Sequence, residues 1–142
     1  MDHLSTRRAR GRRASSRVTV VVLAVALTAL GPGAIAKKDD PPAKDRNSCR
    51  GNTTSWNKLK VAAQDSGILE VTAVVFSDDS DVWEWKLKHN DEVSAKGTVK
   101  AKDADKSFKI VRDMGDFPGV DFIEFKAENT ANGEICTSSV EY

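Results

Sequence analysis

The side chains of this chain that could do chemistry are two histidines, His3 and His89, two cysteines, Cys49 and Cys136, and crowded carboxylates such as "SDDSD" at residues 77–81. Covalent or acid–base catalysis needs a nucleophile, a base and an orienting group held close together. His89 lies in the polar stretch "KHNDE" with no such partner fixed beside it by sequence, and it reads as a solvated turn residue. Asp78 and Asp79 could form a two-carboxylate pair, but adjacent aspartates in a turn bond their own backbone and stay solvated. The chain has no glycine-rich phosphate loop and no G-x-S-x-G turn. The D-x-D-x-D-G calcium spacing is missing, and two distant cysteines with one histidine in the mature chain make a poor zinc set. The residues therefore indicate no catalytic group, no metal and no cofactor, and the function is expected to be non-enzymatic.

Residues 1–36 differ in composition from the rest. Six arginines between Arg7 and Arg17 precede the apolar run "VTVVVLAVALTAL", followed by "GPGAIA". This pattern predicts a secretory signal peptide cut after Ala36, because Ala34 and Ala36 are small and the apolar run of 13 residues falls short of the roughly 20 that a spanning helix needs. The arginine-, alanine- and valine-rich leader looks bacterial, in which case the "NTT" sequon at residues 52–54 carries no glycan. Export also removes basic charge. Six of the 22 Lys+Arg and one of the 21 Asp+Glu lie in the leader, leaving 16 against 20 and a net charge of −4 in a mature chain of 106 residues. A globally basic nucleic-acid binder is excluded on that balance, and no membrane span is expected in the mature chain.

From residue 56 onward the dominant period is two, as in strands with one buried face. Trp83, Trp85 and Leu87 alternate with Glu84, Lys86 and Lys88; similar alternation runs through "KLKVAAQ", "LEVTAVVF", "VSAKGTVKAK", "SFKIVR", "FIEFKAEN" and "EICTSSVEY". Turn formers separate these runs. The reading is a single all-β domain of seven antiparallel strands over residues 49–142, after a charged, disordered lead at residues 37–48 that has no apolar anchor. Gly97 marks a weak point or bulge in the strand at residues 93–102. Both tryptophans of "WEW" are expected in the core, since each ring removes about 150–250 Å² from water and few other large apolar residues are available. Trp56, out of phase with Leu59, is the better candidate for an exposed aromatic. In an exported chain Cys49 and Cys136 are expected to oxidise, and a closed loop of 88 residues corresponds to about 4–5 kcal/mol in the chain-entropy model.

Asp121, Phe125 and Ala127 stand at the spacing of the D-x-x-x-Y-x-C motif of an immunoglobulin-like sixth strand, with Ala73 at the partner cysteine position and Trp85 at the core tryptophan position. Residues 49–142 thus resemble an immunoglobulin-like or fibronectin-type-III-like domain. The resemblance implies a sandwich in which Cys49 and Cys136 join the first strand to the last. It also implies that Asp78, Asp79 and Asp81 share an end with Asp103, Asp105, Glu128, Asn129 and Asn132, where calcium is a weaker reading than solvated turns. The expected function is a secreted, extracellular binding module whose partner is an extracellular protein or a surface polymer. The alternative is an envelope-associated structural protein that holds surface polyanions on a lysine face of Lys86, Lys88, Lys96, Lys100 and Lys102, with Trp56 as an additional contact.

Overall fold

A computed structural model describes residues 39–51, 54–103 and 105–142. The predicted signal peptide lies outside the described residues, as do Asn52 and Thr53 of the sequon. The described residues form eight strands and no helix: β1 (Ala43–Ser48), β2 (Trp56–Gln64), β3 (Ile68–Phe76), β4 (Val82–His89), β5 (Glu92–Lys100), β6 (Ser107–Gly115), β7 (Phe122–Asn129) and β8 (Ile135–Glu141). They make two antiparallel four-stranded sheets, sheet A in the order β1-β2-β3-β6 and sheet B in the order β5-β4-β7-β8.

Alternation sets which face of each strand is buried. Leu59 and Val61 from β2, Val71 from β3, Trp83 and Trp85 from β4 and Phe125 from β7 belong to one core shared by the two sheets, and Trp83 is fully buried. Both indoles of "WEW" are therefore core, as the sequence indicates. Tight turns hold the register. Asn90 and Asp91, at φ 49° and 67°, form the two-residue turn that lets His89 face Glu92, a left-handed conformation these residue types tolerate.

The strand count differs from the seven read in the sequence. The extra strand, β1, occupies residues assigned to a disordered lead, and hydrogen bonding fixes it. It runs in register with β2 from Ala43↔Val61 to Ser48↔Trp56. It also reaches across to β8, where the Asn47 amide donates to the Thr137 carbonyl at 3.1 Å and the Ser139 N–H donates to Asp45 Oδ2 at 3.0 Å. Only Ala43 adds apolar contact with the core, so hydrophobic periodicity gave no sign of this strand. β5 covers most of the strand predicted at residues 93–102, but the register shift falls opposite Leu87 and Lys88 and not at Gly97. Gly97 has another use: it faces Trp85 across the pair, and a Cβ built there would lie 3.1 Å from the indole.

The two cysteines are bonded to each other, with Cα atoms 4.3 Å apart and a sequence separation of 87. The bond ties the segment just after β1 to β8. Beside it Arg50 and Ile135 exchange backbone hydrogen bonds of 2.7 and 3.0 Å.

Candidate functional site

The lysine face predicted from sequence lies on the outer side of sheet B. Cross-strand pairing sets Lys96, Lys86 and Lys126 in one row over β5, β4 and β7, and Thr98, Glu84 and Glu128 in the next. Like charges directly opposite one another oppose pairing, and part of the strain is relieved locally. Lys126 pairs with Glu128 at 2.9 Å and Lys88 with Glu124 at 3.1 Å. Two shallow depressions of about 480 and 560 Å³ share Lys86 and Lys126 in this face. Of the predicted set, Lys86 and Lys96 are brought together. Lys100 ends β5 opposite the exposed Val82, and Lys102 lies beyond the strand. Carboxylates thus interleave with the lysines, and the face is nearly balanced in charge.

Trp56 is on the opposite sheet. It opens β2, a strand flanked on both sides, and is half-buried. Phe76 from β3 stacks on its ring at 3.8 Å with planes 16° apart, and the Arg46 guanidinium from β1 sits 3.7 Å from the ring centroid. Since β1 and β3 flank β2 on opposite sides, the indole is held between the two groups. The same outer face carries cations that the sequence reading did not single out. Arg46, Lys58 and Lys109 share one row with Val74, and Lys44 and Lys60 share the next with Thr72 and Val111. Among the described residues no ion pair engages any of these five. The carboxylates of this face, Glu70 and Asp113, are paired in a third row beyond Lys60. A hint was present in "NKLKVAAQ", where Lys58 and Lys60 alternate with Leu59 and Val61; their neighbours Arg46 and Lys109 come from distant segments and carry no sequence signal.

The loops give a different picture. His89, read as a solvated turn residue, is the buried last residue of β4. Its Nε2 meets the Asp121 carboxylate, which also accepts the Asn90 amide at 3.4 Å and the Phe117 N–H at 3.3 Å, and its ring lies against Phe117. The pair clasps the β6–β7 loop to the end of β4. At the other end the Asn129 amide donates to Asp79 at 2.9 Å and to Asp81 at 3.2 Å, which gives those carboxylates a donor from the protein itself. Among the described residues the one grouping of three metal-ligand types within reach is Cys49, Cys136 and Glu134, and its two sulfurs are spent on each other. Glu134 is 2% exposed, and among the described residues neither carboxylate oxygen makes a well-aligned hydrogen bond, although the Ser55 hydroxyl lies close enough to act on it. Burial raises its carboxyl above the ordinary value; the Ser55 hydroxyl draws it down, and Asp79 and Asp78 push it up.

Comparison with protein-family models, with curated proteins and with solved structures found no match for this chain.

Proposed function

We propose that this is an exported, non-enzymatic binding module of the immunoglobulin-like type that holds an anionic surface polymer on the outer face of sheet A. One observation carries the reading. Five cations, Lys44, Arg46, Lys58, Lys60 and Lys109, occupy two adjacent rows of one face without an ion-pair partner among the described residues. Like charges side by side on a sheet cost stability, and local choices that work against the fold are most often found at functional sites. A polyanion lying on the face would turn that repulsion into attraction. The strand order supports the immunoglobulin-like assignment, with β2, β3 and β6 in one sheet and β5, β4, β7 and β8 in the other. The buried disulfide is in keeping with an oxidising, extracellular setting.

The site differs in place from the predicted lysine face, whose carboxylates offset its lysines. The test compares two triple variants on resin coated with a linear polyanion at low and physiological salt. Lys58→Gln/Lys60→Gln/Lys109→Gln should lose retention at low salt, whereas Lys86→Gln/Lys96→Gln/Lys100→Gln should keep it. Full retention of the first variant would end the reading, and loss confined to the second would move the site to sheet B.

A further inference from the structure

We infer that Arg46 is the anchoring residue of this face, and that the anion it holds is the phosphate of a flexible, phosphate-rich linear polymer. The inference rests on the polyanion reading above and adds the chemistry of the ligand. An arginine on an exposed edge strand ordinarily samples many rotamers. Here three planar groups from adjacent strands, the Arg46 guanidinium, the Trp56 indole and the Phe76 ring, lie one on the next at 3.7 and 3.8 Å. Stacking uses the flat face of the guanidinium and leaves its N–H edge open, which is the geometry that grips the oxygens of phosphate or carboxylate in pairs. Lysine, a point charge on a flexible stem, could not be held in this way.

The surroundings favour phosphate on a flexible chain over the carboxylate of a glycan or the backbone of a nucleic acid. A glycan or a base is recognised through an open aromatic face or through acceptors for its hydroxyl and amino groups. Both faces of Trp56 are taken. The outward side chains among the cations are Val74, Thr72 and Val111, and the carboxylates Glu70 and Asp113 stand a row away. The cation rows therefore read charge and little else. Lys58 is directly opposite Arg46, on a strand about 4.8 Å away. Such spacing suits a ligand that carries a charge on every short unit and can bend to meet successive cations. A stiff glycan with one carboxylate per ring meets fewer of them.

The experiment measures dissociation constants of the exported protein for linear polyphosphate, polygalacturonate and single-stranded DNA at one fixed salt. Polyphosphate should bind tightest. Arg46→Lys keeps the charge and removes the fork; it should weaken polyphosphate and polygalacturonate alike by about tenfold, because the fork grips phosphate and carboxylate oxygens in the same way. Trp56→Leu, which frees the arginine, should give the same pattern. Lys58→Gln should weaken all three ligands by similar factors. An Arg46→Lys variant that unfolds at the wild-type temperature and binds polyphosphate as the wild type does would overturn the fork. Tighter binding of polygalacturonate or of DNA would overturn the ligand class while leaving the polyanion reading intact. If the Lys58, Lys60 and Lys109 triple variant binds normally, the underlying reading fails, a result separable from either of the others.

Discussion

Two residues show how the chain spends its buried volume. Gly97 is opposite Trp85, and an added Cβ would meet three indole atoms at 3.1 to 3.3 Å while Arg112 lies 5.1 Å from the indole centroid. Alanine would be the better strand former by backbone entropy, worth about 0.5–1 kcal/mol, but overpacking a fitted site costs about 1–3 kcal/mol. Gly97→Ala should therefore lower unfolding stability by about 1 kcal/mol, read as a lower urea midpoint with unchanged slope. Glu134 works in the opposite sense to a surface carboxylate. Its folded-state value is raised above the ordinary 4.5, so the native state holds the proton more firmly than the unfolded chain does. That contribution to stability is fully present below the ordinary value and is lost as pH rises through the raised one. Glu134→Gln carries no such proton. The melting temperature of the wild type relative to this variant should fall as pH rises from below the ordinary carboxyl value through the raised one, and parallel curves would refute the assignment.

At the scale of elements, what could be read in the sequence was what periodicity encodes. Trp83, Trp85 and Leu87 alternate with charged residues, and β4 follows from that alone. β1 could not be read in this way, because a strand held by pairing with β2 and by Asp45 and Asn47 on β8 leaves no apolar mark. His89 was hidden for a related reason: Asp121, the partner that removes it from solvent, is 32 residues away. The cation rows of sheet A needed the registers of three strand pairs before they could be seen. The account of β1 is testable. Asp45→Ala removes the acceptor of the Ser139 N–H and of the Asn47 amide at 2.8 Å, at a cost of about 1 kcal/mol for hydrogen bonds to a charged group near solvent. Amide exchange should quicken in β1 and stay unchanged in the centre of β3; unchanged exchange in β1 would mean that the backbone ladder alone holds it. The disulfide acts on a larger scale. Cys49→Ser/Cys136→Ser should lose about 2–4 kcal/mol, seen as a lower melting temperature in oxidising buffer that matches the wild type under reductant.

The whole molecule sets its charge against that of its proposed site. If the leader is removed, the chain carries −4, yet one outer face carries five cations with no ion-pair partner among the described residues. Beyond Glu70 and Asp113 in the next row of the same face, the remaining charge, acidic on balance, is carried mostly by the loops and by sheet B, which packs about 10 Å away across the core. At physiological ionic strength the screening length is about 8 Å. A polymer on sheet A then feels the local cations and little of the distant carboxylates. In about 0.01 M salt the screening length grows to about 30 Å, and the negative charge of the whole molecule opposes the same ligand. A uniformly basic protein would tighten its grip steadily as salt is withdrawn, through counterion release. This one should not. Its affinity for linear polyphosphate should rise as salt falls from about 0.15 M, then level off or turn down near 0.01 M. Neutralising acids on the outer face of sheet B, as in Glu84→Gln/Glu128→Gln, should lift the low-salt limb and leave the physiological value in place. A straight log–log dependence through the whole range, indifferent to those substitutions, would show that the remote acids exert no field on the ligand, and that the contacts on sheet A alone govern binding.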